Sequence, residues 1–225
     1  MTRPRGSGWW ESATVAIVWS CRLAVERYAA QGREIWVPRG RCPVCRQELV
    51  FWSGYWRYVR ERGERQLFIR RGRCRQCGRT QALLPSFLLR RRLDPVRAIG
   101  RGLALGVGGL GMAKVAARLG VPHSTARDWR RRHRARAPTL VTGFAALRIE
   151  LGDEVIGVPE DQEQAALAAL GAAWAPWQAV VRLWDFASLV SGGAWLGTNT
   201  TPPWAALGDR RFMGPMPSNS TPEAL

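Results

Sequence analysis

Cys42-Pro43-Val44-Cys45 and Cys74-Arg75-Gln76-Cys77-Gly78 face each other across 28 residues, and the run Leu119-Gly120-Val121-Pro122-His123-Ser124-Thr125-Ala126-Arg127-Asp128-Trp129 follows a short way on. A Cys-x-x-Cys turn places two thiolates on one side of an ion, and a second such turn completes a tetrahedral set. Four thiolates close a coordination sphere, so the reading is a structural Zn2+ held by Cys42, Cys45, Cys74 and Cys77. A redox pair needs one such motif at a helix start beside a βαβ pattern, and neither knuckle stands there. The spacer is longer than the usual zinc-ribbon range of about 15–20 residues, so it must hold an extra excursion of chain.

That spacer has strand character. Residues 49–52 form one run, and 55–60 alternate Trp56, Tyr58 and Arg60 against Tyr55, Arg57 and Val59. After Gly63, residues 66–71 alternate Leu67 and Ile69 against Phe68 and Arg70. Period-2 patterning broken by glycine reads as antiparallel hairpins. Upstream, residues 14–19 read as a buried strand, 25–30 as a short helix stopped by Gly32, and 34–37 as a second strand. Cys21, alone on an apolar element, reads as core, the usual place of a free cysteine.

Downstream, Asp94-Pro95 is expected to open a helix with Asp94 as cap and Pro95 at its first position. Val96, Ile99 and Leu103 give that helix an apolar face. Two more helices are expected at 112–119 and 123–135, joined by Gly120-Val121-Pro122. Val115, Ala116, Leu119, Val121, Ala126 and Trp129 would turn inward. The arrangement reads as a helix-turn-helix whose second helix enters the major groove of DNA. Ser124, Thr125, Arg127 and Asp128 would reach base edges, with Arg130, Arg131, Arg132 and Arg134 behind them for phosphate or guanine. Asp128 has a second reading, as an intrahelical partner of Arg131 or Arg132.

Charge agrees with this division. The chain of 225 residues carries 34 Lys+Arg against 17 Asp+Glu; residues 1–138 hold 30 against 8, and residues 139–225 hold 4 against 9. An excess of that size in the front half points to a polyanion partner. Arg57, Arg60, Arg70, Arg71 and Arg73 are expected to contact phosphates. Trp52, Tyr55, Trp56 and Tyr58 lie among them; so small a module has little else to bury, so they are expected to be mainly core, with base stacking as the second reading.

The expected fold class is therefore α+β: a zinc-ribbon-like β module with a leading β/α unit (13–90), a three-helix unit (93–137), a helical region (138–197) and an irregular tail (198–225), after a loose arm (1–12). Pro138 marks the boundary before the helical region. No run approaches the 18 apolar residues of a membrane span, and the short apolar stretch 13–19 lacks a small-x-small cleavage pattern. A cytoplasmic, nucleoid-associated protein is expected. Trp174, Trp177, Trp184 and Trp195 offer apolar surface on which the rear region could form a homodimer.

The stretches "CPVC", "FWSGYWRYVRERG", "RGRCRQCGRTQALLPSFLLRRRLD" and "LGVPHSTARDWRRR", with the ending "WDFASLVSGGAWLGTNTTPPW", resemble an uncharacterised family of GC-rich Gram-positive bacteria. Its members pair a zinc-ribbon-like unit with a helix-turn-helix and look like the DNA-binding front of insertion-sequence transposases. The resemblance implies zinc at the four knuckle cysteines and binding of double-stranded DNA through Ser124, Thr125, Arg127 and their neighbours. It implies no activity. An RNase H-like catalytic domain needs three carboxylates on a mixed sheet of well over a hundred residues, and only 87 residues follow Pro138. The acids from Glu150 to Glu163 read as cap and solvated charge. The expectation is a non-enzymatic DNA-binding protein, acting alone or beside a separate transposase subunit. The alternatives are a transcriptional regulator dimerising through 139–197, and an RNA-binding or zinc scaffold protein.

Overall fold

The computed structural model describes residues 16–150 and 159–197. It is α+β. Four strands, β1 (Ile17–Trp19), β2 (Leu49–Arg60), β3 (Glu64–Cys74) and β4 (Thr80–Pro85), form one sheet in the order β1-β4-β3-β2. β1 runs parallel to β4, while β4–β3 and β3–β2 are antiparallel. Six α-helices complete the described chain: α1 (Val25–Gln31), α2 (Val96–Val107), α3 (Met112–Leu119), α4 (His123–Glu150), α5 (Gln162–Trp174) and α6 (Leu183–Val190). The expected arm and tail, and the acids Asp153 and Glu154, lie outside the described residues.

The knuckle spacer is a single long hairpin. The two runs expected at 49–52 and 55–60 are one strand, bent by a bulge between Phe51 and Ser53. A bulge keeps the ladder going while shifting which residues share a face, which is why the alternation looked interrupted. Strand β4 was not anticipated, because Leu83-Leu84 is apolar on both faces and carries no alternation; both side chains are buried. Residues 34–37 make no strand. Arg70 donates instead to the carbonyls of Ile35 (3.0 Å) and Arg33 (2.7 Å), so a guanidinium takes the place of a backbone ladder there.

Asp94 does not cap α2. Pro95 occupies the N-cap position with no side-chain cap bond, and the Asp94 carboxylate takes both Nε and Nη2 of Arg60 at 2.7 and 2.9 Å. Helix α4 does not stop near 135. It runs through Pro138 to Glu150, so the expected boundary at Pro138 falls inside a helix. Proline deletes one rung of the ladder, but Ala137, Leu140, Phe144 and Leu147 are buried on both sides of it, and that burial holds the helix together.

One continuous core joins the sheet to the helices, from Ala16 through Leu83, Phe87, Ile99, Leu103, Trp129 and Phe144 to Phe186 and Trp195. The linker after β4 is stitched to the C-terminal helices: Ser188 Oγ donates to Leu88 O at 2.6 Å, and Arg90 N donates to Gly193 O at 2.7 Å. The tryptophans expected to form a dimer surface serve this core. Trp177 and Trp195 are buried, Trp174 donates from Nε1 to Val181 O, and Trp184 stacks on Trp195 at 5.5 Å. Cys21 is buried as expected, and burial pushes its thiol up to about 11.

Candidate metal centre and nucleic-acid interface

The two Cys-x-x-Cys turns are near copies of one another. In the first, Arg46 N donates to Cys42 O (2.9 Å) and Cys42 N to Gln47 O (2.8 Å); in the second, Gly78 N donates to Cys74 O (3.0 Å) and Cys74 N to Arg79 O (2.8 Å). The residue after each second cysteine is left-handed, Arg46 at φ 62° and Gly78 at φ 73°. Glycine adopts that conformation freely and arginine at a cost, so only the second knuckle announces its shape in the sequence.

Hairpin β2–β3 brings the turns together. All four Sγ atoms lie within 4.8 Å of one another, with Cys42–Cys77 at 3.5 Å and Cys45–Cys74 at 3.2 Å. A tetrahedral Zn2+ with Zn–S of about 2.3 Å requires sulfur–sulfur separations of about 3.8 Å, so the cluster fits such an ion with small adjustments. Hydrogen bonding led by the Cys77 backbone draws the Cys74 thiol down to about 7. At Cys45 the Gln47 backbone pulls downward, but the bond to Cys74 and desolvation prevail and push the thiol up to about 12. Thiols crowded this closely oppose each other's ionisation, and a divalent cation removes that opposition.

The arginines expected on phosphates divide into two groups. Arg57 is half-buried, and desolvation lowers its pKa; its Nη2 donates to the carbonyls of Leu89 (2.7 Å) and Arg92. Arg60 is committed to Asp94. These two hold the linker 86–94 against the sheet and are not free for phosphate. Arg70 bonds Arg33 and Ile35, and Arg71 bonds Thr80 Oγ1 at 2.8 Å. Arg73 stands 4.6 Å from the centre of the Trp52 ring.

Helices α3 and α4 are joined by Gly120-Val121-Pro122. Gly120 closes α3 at φ 65°, ψ 34° and its N–H bonds the carbonyls of Ala116 and Ala117. Val115, Ala116, Ala126 and Trp129 are buried at the junction, as the pattern required. This leaves His123, Ser124, Arg127, Arg131 and Arg134 exposed along α4, with Thr125, Asp128, Arg130 and Arg132 half-buried. Arg127 makes no ion pair among the described residues. Asp128 is bonded to Arg131 and Arg132 and lies 3.9 Å from Arg92, the intrahelical role rather than a free acceptor. The Arg131 and Arg132 guanidiniums outweigh burial and hold its carboxyl below the usual range.

Arg130 and Arg134 are tied to α5. Glu163 Oε2 lies 3.3 Å from Arg130 and 3.0 Å from Arg134, and Glu163 itself is 6% exposed. The expectation of cap and solvated charge for the acids from Glu150 to Glu163 holds for Asp161, whose Oδ1 accepts from Gln164 N at 2.8 Å, and not for Glu163. Burial would raise the Glu163 carboxyl, but its two guanidinium partners prevail and lower it. Exposed cations that the sequence reading did not single out also appear on α2 and α3: Arg101, Lys114 and Arg118, without ion pairs among the described residues. Their single signal was a place opposite the apolar face.

What these features define together is an α+β protein with a four-cysteine cluster suited to a metal ion and a strongly basic helical face. Residues 42–100 match the model of a domain of unknown function, DUF6431. That stretch starts at the first knuckle cysteine and ends inside α2. No curated protein and no solved structure matches the chain. Among the described residues no helix is long and apolar enough to cross a membrane.

Proposed function

We propose that this chain is a zinc-stabilised, sequence-specific binder of double-stranded DNA, of transposase lineage. Zinc sits in the Cys42, Cys45, Cys74 and Cys77 cluster and fixes the base of the β2–β3 hairpin. Helices α2 to α4 act as a helix-turn-helix, with α4 in the major groove. The observation that carries the reading is the α3–Gly120–α4 junction: it buries Val115, Ala126 and Trp129 and leaves Ser124 and Arg127 exposed, without an ion pair among the described residues, at the start of α4. That is the part of a recognition helix that meets base edges. The transposase lineage rests on the family resemblance alone.

Within this reading Ser124, Thr125 and Arg127 read bases. Arg131 lies one turn further on and serves phosphate, joined by Arg101, Lys114 and Arg118. Arg127→Ala should lower affinity for the preferred site by roughly 1–3 kcal/mol and relax its sequence preference, while Lys114→Ala or Arg118→Ala weakens all duplexes alike and flattens the salt dependence by about one unit each. Fluorescence anisotropy on a selected duplex and a scrambled one distinguishes the two behaviours. Equal losses on both duplexes for every variant would remove α4 as the reading element.

A further inference from the structure

The aromatic residues of β2 are not the core of the module. Trp52 is 59% exposed, Tyr58 53%, Trp56 44%, Phe51 41% and Tyr55 40%. β2 is the edge strand of the sheet, and among the described residues no strand pairs beyond it. Register places Phe51, Trp56 and Tyr58 on one face, opposite Gly72, Phe68 and Gln66 of β3. Trp52 sits in the bulge.

Guanidinium groups stand over this aromatic row. Arg70 and Arg39 lie 5.2 and 6.0 Å from the Phe51 ring centre, and Arg33 lies 5.6 Å from Phe68; Arg73, which alternates with Gly72 to the other side of the sheet, lies 4.6 Å from Trp52. Phe68 meets Trp56 edge-on at 5.3 Å. No carboxylate occurs between Leu49 and Arg60 or between Arg65 and Arg73. Glu48 stands at the margin, 3.7 Å from Arg39 in an exposed pair that a phosphate can displace; flat π faces alternating with an excess of cations suit a polyanion whose planar groups are unstacked.

We propose that the Phe51–Trp56–Tyr58 face binds an unpaired DNA strand, its bases stacked on the rings and its phosphates held by Arg33 and Arg39, with Arg70 adding positive charge beside Phe51. From Phe51 to Tyr58 the strand spans about 20 Å, room for the two or three bases that a sheet of stacking aromatics takes. The choice of DNA over RNA rests on the duplex-binding reading of α4. The stacking chemistry stands apart from that reading, because it uses a different element.

The test uses the full zinc-loaded chain and a fluorescein-labelled oligothymidylate of about a dozen nucleotides, with the corresponding duplex and oligouridylate in parallel. Tyr58→Ala and Trp56→Ala should each weaken oligothymidylate binding by about tenfold, leave duplex binding within about twofold, and leave thermal melting unchanged for Tyr58, whose hydroxyl meets only Gln66. Trp56→Phe should recover most of the loss. Unchanged oligothymidylate binding in Tyr58→Ala and Trp56→Ala overturns the proposal, as does binding of oligouridylate alone. Self-association abolished by these changes without effect on the oligonucleotide would assign the face to a second copy instead. Loss of duplex binding in Arg127→Ala with oligothymidylate binding intact bears on α4, and the converse bears on this face.

Discussion

Glu163→Gln removes one charge from a position where two arginines of α4 converge. The carboxylate contacts Arg130 through both oxygens at 3.3 Å and Arg134 at 3.0 and 3.2 Å. Hydrogen bonds to charged groups contribute about 1.5–3 kcal/mol each, but Arg134 is 67% exposed and Arg130 30%, and solvent screening discounts both. Glutamine keeps one acceptor oxygen. The expected loss is therefore about 1–2 kcal/mol, or roughly 3–6 °C in melting temperature for a chain of this size. The same change releases two cations onto the proposed DNA-facing helix. Each phosphate newly neutralised steepens the slope of log K against log salt by about 0.9, so nonspecific duplex binding at low salt should tighten and its slope should steepen by up to about 2. Differential scanning fluorimetry and a salt titration followed by anisotropy read the two effects separately. A destabilised variant with an unaltered salt slope would show that the side of α4 carrying Arg130 and Arg134 lies away from the phosphates. An unaltered melt would show that Glu163 does not anchor α4 to α5.

Three further outcomes follow from the same geometry. Chelation of the metal, or Cys74→Ser, should unfold the base of the β2–β3 hairpin, seen as a lower melting temperature and loss of about one equivalent of bound zinc per chain by metal analysis; retention of both would refute the metal assignment. Gly100→Ala would drive a methyl group into the Trp184 ring, and overpacking of this kind costs about 1–3 kcal/mol, measurable by urea denaturation. His133 is fully buried, with neither ring nitrogen hydrogen-bonded among the described residues, and burial lowers its pKa despite Glu163 3.9 Å away. A histidine depressed in the folded state binds its proton more readily when unfolded, so its contribution is complete above the unfolded value of about 6.5 and declines as pH falls below it. The wild-type chain should lose more stability between pH 7 and 5 than His133→Leu does; equal losses would assign the acid sensitivity elsewhere.

The knuckles were legible because metal chemistry demands a residue type at a fixed spacing, and the structure brings all four cysteines together. The inward positions at the α3–α4 junction were legible for a similar reason, since Val115, Ala116, Ala126 and Trp129 follow the helical period. The failures share a different physical origin. Pro138 reads as a stop in local propensity, yet burial of Ala137 and Leu140 outweighs the missing rung. Asp94 reads as a cap, yet Arg60, 34 residues earlier, claims its carboxylate. Arg57 reads as surface charge, yet the linker carbonyls of Leu89 and Arg92 draw it inward. Glu163 reads as solvated, yet it faces Arg130 and Arg134 across helices. For Asp94, Arg57 and Glu163 a partner distant in sequence decides the role, and periodicity carries no information about such partners. The aromatics of β2 were misjudged for want of topology: only the strand order makes β2 an edge and leaves its rings in solvent.

The central claim is that α4 reads duplex sequence. It is tested most directly by recovering fragments of sheared genomic DNA bound to the purified, zinc-loaded chain at physiological salt, alongside Arg127→Ala. The account predicts enrichment of one motif by the wild-type chain and a degraded motif in the variant. Uniform recovery by both, disappearing together as salt rises, would contradict it and leave only a nonspecific attraction to polyanions.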